Sequence, residues 1–566
     1  MKLIIREYLS MLKESKELDY LIPDLLLSMG LTPFSRPQIG VRQDGVDIAA
    51  VGKDKEDGEE KVFLITIKRG DIDRSSWDSG LQAVRPSLNE IIDCYIPNRL
   101  PVEYKSYPKK IILCCGGEIK QEVEGNWVGF AKNKRAAKDL SFSFWGADYL
   151  STMIEQNLLN EYLFPEECRK LFRKSLAIID GTDEGFKYYR NLVIKVLDNA
   201  PLETPQKKIK ALRTLNLALK VLFYWGQDEN NLSVPYLASE YLILRSWDLI
   251  KSKNPFRSNS KSNKVTDEFL KILSTFNSIT KAYLEKISPH CLVSDGLFLN
   301  SINSQEYFLL VFDIMGKLAV IGLSQFFQSL FFNSEILLTN SRYVAFCLAK
   351  MIENHSISGS PPYDGHIIDI SLAIILLYCT GHGDFASNWV EKIVDKCHFA
   401  YKFGKYYPIC TDSFEDLIDM SMGNSRSKKE LTEISSMFPI LAEWIYLLNN
   451  ENAYLKLSDM LKECLSHTNL QMWFPDKDTE NLLFKENASN NSGKTYHSIC
   501  LPEKMSDLQS EIESVSKVVY SASNISCFKF SMPLLALIAS RHFRTPVLPI
   551  FWHNIVISKE NEQPPE

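Results

Sequence analysis

The sequence predicts an α/β domain with a mixed sheet flanked by helices at the N-terminus, followed by a large all-α region. Two early stretches are rich in β-branched and apolar residues, as strands are, and a third is a continuous apolar run that ends in a glycine pair. Beyond residue 160 this strand character nearly disappears, and apolar residues recur at helical spacing. The change of period divides the chain into these two parts.

The elements of the N-terminal part follow from spacing and from turn residues. Apolar residues at helical spacing fill the first 30 positions, and Gly30 is suited to end a helix. A polar, glycine-containing turn at 52–60 separates two strand-like stretches and predicts a hairpin. In chain order we expect a helical region over 1–30, strands at 46–51 and 62–68, a helix over 77–96, strands at 110–115 and 141–145, and a helix beginning near 146.

A chain of 566 residues is too long for one hydrophobic core, so several domains are expected. Residues 251–264 are polar and contain no apolar cluster to bury, which is typical of a linker. The predicted divisions are a first domain at 1–160, a helical connector at 161–250, a linker at 251–265, an all-α sensor or interaction region at 266–557, and a flexible tail at 558–566.

Charge and cysteine usage restrict the partners and the compartment. The net charge of −6 would repel nucleic acid, so nucleic-acid binding requires a local basic patch. The twelve cysteines include no CxxC pair, which excludes a zinc ribbon and a thioredoxin-type motif and indicates a reducing, cytoplasmic setting. The basic patch with the best composition is formed by Lys132, Lys134, Arg135 and Lys138, and a solvated charged loop is the alternative.

Two other features are expected to be structural. The apolar stretch at 307–332 is long enough to span a membrane but carries Asp313 and Lys317, so we predict a buried core helix and no membrane association. The pair Cys397 and His398 has no partner at the sequence spacing of a metal site, so we expect ordinary packing there.

The predicted hairpin carries residues suited to metal-dependent phosphodiester cleavage. That chemistry uses carboxylates to hold Mg²⁺ and a lysine near the developing charge. Asp47 lies at the first strand, and Thr66 and Lys68 share one face at the end of the second, with Ile67 between them. The following predicted helix supplies Gln82.

A Gly-x-Asp strand, a hairpin, a strand ending in x-Lys and a helix with Gln resembles the Mrr-type branch of the PD-(D/E)XK restriction-endonuclease-like superfamily. The resemblance covers about a quarter of the chain and implies a nuclease-like fold, an Mg²⁺ or Mn²⁺ cofactor and DNA as the partner. It implies that Asp47 binds the metal, with the Ile67 carbonyl as a further ligand, that Lys68 is catalytic and that Gln82 lines the site.

Thr66 departs from the family pattern, because a carboxylate is expected there and a hydroxyl is a poor ligand for a hard cation. A carboxylate from elsewhere could replace it, and the sequence offers candidates on the first helix and just after the second strand. These candidates are Glu17, Asp19, Asp24, Asp71 and Asp73.

The sequence is compatible with two functions. The first is a metal-dependent DNA endonuclease of a prokaryotic restriction or anti-phage defence type, regulated by its helical C-terminal region. The second is a catalytically degenerate nuclease fold that serves as a binding or scaffold subunit of a multi-protein complex. Either function admits a partner protein chain or a homo-oligomer.

Overall fold

A computed structural model provides the structure of the chain. It describes residues 2–12, 14, 18–35, 43–80, 83–134, 139–158, 166–198, 202–252, 255–256, 263–298, 304–404, 407–423, 426–476, 478–485, 493–495, 497–516 and 524–548. The chain divides into two compact units, Met1–Val234 and Pro235–Glu566.

The first unit is built on a five-stranded mixed sheet with the spatial order β1-β2-β3-β4-β5. The hairpin of β2 and β3 is antiparallel, as is the β1–β2 pair, whereas β3, β4 and β5 are mutually parallel. The strands are β1 Thr32–Pro33, β2 Ile48–Lys53, β3 Glu60–Lys68, β4 Lys109–Cys115 and β5 Leu140–Trp145. The mixed sheet predicted from the sequence is therefore confirmed.

Helices surround this sheet and extend past residue 160 within the same unit. They are α1 Lys2–Met11, α2 Asp19–Ser28, α3 Arg74–Asp78, α4 Val84–Glu90, α5 Gln121–Lys134, α6 Ala147–Asn157, α7 Glu166–Ala177, α8 Thr182–Asp198 and α9 Pro205–Asp228, with a π-helical segment at Ile91–Arg99 and a 3₁₀ turn at Val102–Tyr104. The helix expected over 77–96 is therefore three shorter pieces. The first piece is α3, Arg74–Asp78, and Asp73 is its N-cap.

Helix α5 is absent from the elements expected from the sequence. Because β4 and β5 are parallel, a crossover connection must return the chain to the opposite end of the sheet, and α5 is that connection. Its sequence contains two glycines and only one fully buried residue, Val123, so its helical pattern is weak.

The sheet is buried on both faces, which explains why its central strands are continuously apolar. In β3 every residue from Lys61 to Ile67 is buried, and in β4 every residue from Lys110 to Cys115. One face packs its alternate residues against Trp77, Leu88 and the ring of Phe142. Trp127 and Phe130 of α5 join the same core through edge-on contacts with Phe142, at 6.3 and 5.9 Å between ring centroids.

The second unit is helical in its described residues apart from a short parallel pair, β6 Ile434–Ser435 and β7 Asn469–Leu470. Its helices are α10 Ser233–Ile250, α11 Asn263–Cys291, α12 Ser304–Phe332, α13 Glu335–Asn354, α14 Ile367–Cys379, α15 Gly383–Phe403, α16 Phe414–Met422, α17 Lys428–Leu431, α18 Met437–Leu447, α19 Glu451–Cys464, α20 Thr479–Phe484, α21 Leu508–Ser516, α22 Ser526–Lys529 and α23 Leu534–Phe543, with 3₁₀ turns at Ser356–Gly359, Asp364–His366 and Met505–Asp507.

A network of charged side chains ties α23 into the interior of this unit. The Arg541 guanidinium donates to Glu240 at 2.8 Å and to Asp313 at 2.9 Å, and Glu240 is completely buried. Lys317 pairs with Asp313 at 2.7 Å. The charged members are Glu240, Asp313, Lys317, Asp369, Arg541 and Arg544. Three acidic and three basic groups balance, which is how buried charges are tolerated.

Among the described residues, one helix, Gln305–Phe332, is long and apolar enough to cross a membrane by length and composition alone. Most of it is buried inside the second unit, and its Asp313 and Lys317 belong to the charged network just described. This burial agrees with the prediction of a core helix.

Candidate metal-binding site at the sheet edge

Asp47, Thr66 and Lys68 lie at one edge of the sheet, where the parallel strands β3, β4 and β5 end. Asp47 immediately precedes β2, and since β2 runs antiparallel to β3, Asp47 lies beside the end of β3 that carries Thr66 and Lys68. Alternation along the strands then places these three side chains on one sheet face. The hairpin thus brings together three of the residues predicted for the site.

Gly45 is required by the turn that leads into Asp47. Its φ of +81° lies in the left-handed region, and a Cβ there would lie 2.1 Å from the carbonyl oxygen of Ser87 in α4. Only glycine lets the backbone pass α4 this closely. The glycine of the Gly-x-Asp pattern therefore positions the aspartate.

Asp47 is held in one orientation by the end of β3. Its Oδ2 accepts the Ile67 N–H at 2.6 Å and, more weakly, the Thr66 hydroxyl at 3.4 Å. Burial nevertheless raises the pKa of Asp47, against the lowering effects of the Ile67 hydrogen bond, the Lys68 charge and the Thr66 hydroxyl. Ile67 therefore orients the aspartate through its N–H, and the ligand role of its carbonyl stays a prediction.

Two further carboxylates reach this edge from the N-terminal helices. Glu14, between α1 and α2, interacts electrostatically with Lys68, Asp47 and Asp19. Burial is the main cause that raises the pKa of Glu14, and the neighbouring Asp47 and Asp19 add to it. Asp19 starts α2, and its Oδ1 is buried without a hydrogen-bond partner. Asp19 was among the sequence candidates, and Glu14 was not.

The charge balance of this cluster fits a divalent cation. Fully ionised, Glu14, Asp19 and Asp47 carry three negative charges against one positive charge on Lys68, a net of −2 (−3 + 1). The Asp19 Oδ1 is buried and accepts no hydrogen bond, so this oxygen is free to coordinate a cation. Oxygen donors of this kind suit Mg²⁺ or Mn²⁺.

The three carboxylates do not form a closed cage. Among the described residues, one group of three candidate ligands has all its donor atoms within 4.8 Å of one another, and it lies in the second unit. A cation at the sheet edge would therefore bind these carboxylates partly through water or draw them inward. Mg²⁺ commonly retains several waters, so this spacing is compatible with it.

The remaining carboxylate candidates have structural partners. Asp24 lies 4.0 Å from Arg213 of α9. Asp71 accepts the Glu118 N–H at 3.0 Å and lies against Gly117, where a Cβ would come within 2.3 Å of its Oδ1. Asp73 caps α3, and its hydrogen bonds from Ser76 and Ser75 lower its pKa to about 2. Glu17 and Gln82 lie outside the described residues.

The basic residues predicted to bind nucleic acid lie at the other end of the sheet. Lys132 and Lys134 are in the last turn of α5, which leads to the start of β5, whereas Asp47 and Lys68 lie at the edge where β5 ends. A six-residue strand separates the two edges by about 20 Å. Arg135 and Lys138 lie outside the described residues. Nucleic-acid binding by this patch stays a prediction.

Comparison of the chain with protein-family models, with curated proteins and with solved structures returns no match.

Proposed function

We propose that the chain is a metal-dependent phosphodiesterase that cleaves DNA at the sheet edge containing Asp47. The observation that carries the proposal is the electrostatic coupling of Glu14 and Asp47 to Lys68, with Asp19 coupled to both carboxylates. Phosphodiester cleavage with Mg²⁺ uses carboxylates as ligands of the ion and a nearby lysine that stabilises the developing negative charge. Glu14 and Asp19 supply the negative charge that the neutral Thr66 does not.

The roles of the residues follow from their positions. Asp47, fixed by the Ile67 N–H, and the carboxylates of Glu14 and Asp19 would hold Mg²⁺ or Mn²⁺. When bound there, the ion supplies Lewis-acid polarisation of the scissile phosphate. The ammonium of Lys68 stabilises the negative charge that develops on the phosphoryl oxygens during attack by water.

The helical second unit would regulate this activity. Several of its large apolar side chains are exposed where α12 ends and α13 begins, including Leu330, Phe332 and Ile336. Exposed apolar residues grouped in this way are suited to contact with a partner chain. On this proposal the protein is a cytoplasmic, nucleic-acid-targeting effector of a restriction or defence type.

A second candidate function is that of a binding or scaffold subunit with a degenerate site. The observations that favour it are the neutral Thr66 beside Asp47 and the spacing of the carboxylates, which exceeds that of a closed cage. Loss of metal binding would leave the fold intact, because the sheet is held by its apolar core.

Cleavage of supercoiled plasmid DNA by the purified full chain in Mg²⁺ or Mn²⁺ tests the proposal. We expect nicking that is stopped by a chelator and reduced about 100-fold or more by Lys68→Ala, the scale on which preorganised electrostatic groups contribute. Asp47→Ala and Glu14→Gln should have effects of similar size. Asp93→Asn is the matched control, because Asp93 is an exposed carboxylate of the π-helical segment.

The outcomes separate the two functions. Cleavage that survives Lys68→Ala or Asp47→Ala at the wild-type rate would rule out this site as the active centre. If the wild-type chain binds DNA but does not cleave it, and Asp47→Ala binds DNA equally well, the scaffold function is favoured. Cleavage lost in Glu14→Gln but retained in Asp93→Asn would identify the Glu14 carboxylate as part of the site.

A further inference from the structure

Helices α15 and α19 of the second unit lie side by side along a polar seam. Lys456 of α19 pairs with Glu391 at 2.8 Å and with Asp395 at 2.9 Å, both on α15. One turn further along α15, His398 Nε2 lies 3.0 Å from Glu463 Oε2 at the end of α19. The contacts of Lys456 and His398 therefore fix how α15 and α19 are aligned along their lengths.

Cys464, the last residue of α19, completes a group of three different donors with His398 and Glu463. One ring nitrogen, one carboxylate oxygen and the sulfur all lie within 4.8 Å of one another. Cys464 forms no disulfide, and its side chain and that of His398 are half-buried while Glu463 is exposed. The sequence separates His398 from the other two by more than 60 residues, so no local spacing reveals the group.

The distances are close to those of a tetrahedral zinc centre. Ligand bonds of about 2.0–2.3 Å at tetrahedral angles place neighbouring donor atoms about 3.3–3.6 Å apart. The 3.0 Å separation of His398 and Glu463 would have to open by a few tenths of an ångström, and the sulfur would have to approach by at most about 1.2 Å, from 4.8 Å to about 3.6 Å. Side-chain rotations at a half-buried site can supply movements of that size.

The donor types select the metal. A mixed set of imidazole, carboxylate and thiolate suits Zn²⁺, whereas Mg²⁺ prefers oxygen ligands alone. Three protein ligands beside solvent leave the fourth position to water. Lys402, whose Nζ lies 3.8 Å from Glu463 Oε2, competes with a cation for that carboxylate.

We propose that His398, Glu463 and Cys464 form a three-ligand Zn²⁺ site that clamps α15 to α19 and leaves one coordination position open to water. The site is independent of the sheet edge of the first unit. It differs from that site in ligand chemistry, because it contains a thiolate.

Cobalt(II) titration of the reduced, chelator-treated full chain tests the site, because Co²⁺ bound to a thiolate gives a near-ultraviolet charge-transfer band. The titration is made in the Asp47→Asn background, which removes a ligand of the sheet-edge carboxylates. We expect a band that saturates at one Co²⁺ per chain and is displaced by Zn²⁺. Cys464→Ser should abolish the band, and His398→Ala should weaken Co²⁺ binding at least about tenfold.

Cys500→Ser is the matched control, since Cys500 is an exposed cysteine of the same unit. The absence of a thiolate band, or a band that persists in Cys464→Ser, would overturn the proposal and leave only the hydrogen bond between His398 and Glu463. Circular dichroism of each variant checks its fold. If Cys464→Ser does not fold, Glu463→Gln replaces it, with an expected loss of Co²⁺ affinity of at least about tenfold and retention of the band.

Discussion

Magnesium is expected to stabilise the first unit more strongly at pH 8 than at pH 5. Burial raises the pKa values of Asp47 and Glu14. A carboxyl group whose pKa is higher in the folded state contributes stability below its unfolded pKa and loses that contribution as pH rises through the folded value. At pH 8 the metal-free site therefore contains mutually repelling, partly desolvated carboxylates, and a cation relieves that repulsion. At pH 5 the cation must compete with protons.

The size of the effect follows from binding linkage. A ligand present at 100 times its Kd stabilises the folded state by about 2.7 kcal/mol. For domains of roughly 150–250 residues, each kcal/mol shifts Tm by about 2–4 °C. The first unit spans Met1–Val234, so saturating Mg²⁺ at pH 8 should raise its Tm by about 5–11 °C. The shift at pH 5 should be less than half as large.

Differential scanning calorimetry with Mg²⁺ or with chelator measures this shift at both pH values. Asp47→Asn should remove most of it, while the amide oxygen can still accept the Ile67 N–H and preserve the strand end. Asp93→Asn, an exposed substitution in the same unit, should behave as the wild type does. An unchanged Tm at pH 8, a larger shift at pH 5, or a full shift in Asp47→Asn would refute the assignment of the metal to these carboxylates.

Two further substitutions test the energetics of buried charge. Thr66→Glu places a carboxylate beside Asp47 at a position that is only 1% exposed, so we expect a loss of about 3–5 kcal/mol in urea unfolding without metal, largely recovered with Mg²⁺. Thr66→Val is its control, and equal destabilisation with and without Mg²⁺ would contradict the reasoning. Arg541→Met should destabilise the second unit by about 3–5 kcal/mol because it leaves the buried Glu240 without its guanidinium partner. Adding Glu240→Gln should recover part of that loss, and a double variant no more stable than Arg541→Met would count against it.

The strands could be predicted because their signals are local. The sequence hairpin at 46–51 and 62–68 corresponds to Ile48–Lys53 and Glu60–Lys68, and the runs at 110–115 and 141–145 correspond to Lys109–Cys115 and Leu140–Trp145. Each is a continuous or alternating apolar run bounded by turn residues, which is the pattern that a strand in a covered sheet must have. The helical nature of the second unit followed in the same way from its apolar spacing.

Elements whose role is set by tertiary contacts were harder to predict. Helix α5 presents Val123, Trp127 and Phe130 to the core at helical spacing, but its two glycines and its polar residues make the helical signal weak. The π-helical segment at Ile91–Arg99 includes Pro97, which interrupts the helical pattern. The contacts that hold α5 against the sheet are with Phe142 of β5, which follows it in the chain.

The site shows the same division between local and distant information. Asp47 and Lys68 could be named from the sequence because both lie on one hairpin, where alternation determines which side chains share a face. Glu14 could not, because only the packing of the N-terminal helices determines whether its carboxylate reaches Lys68.

That packing has a specific contact: Leu9 of α1 is completely buried, and its carbonyl lies so close to Gly116 that a Cβ there would come within 2.2 Å of it. Gly116, the first residue after β4, therefore admits α1 to the sheet edge. Because Thr66 stands where a carboxylate is expected, the negative charge beside Asp47 depends on the α1–Gly116 contact that brings Glu14 to this edge. A motif search restricted to the strands therefore cannot decide whether such an edge binds metal.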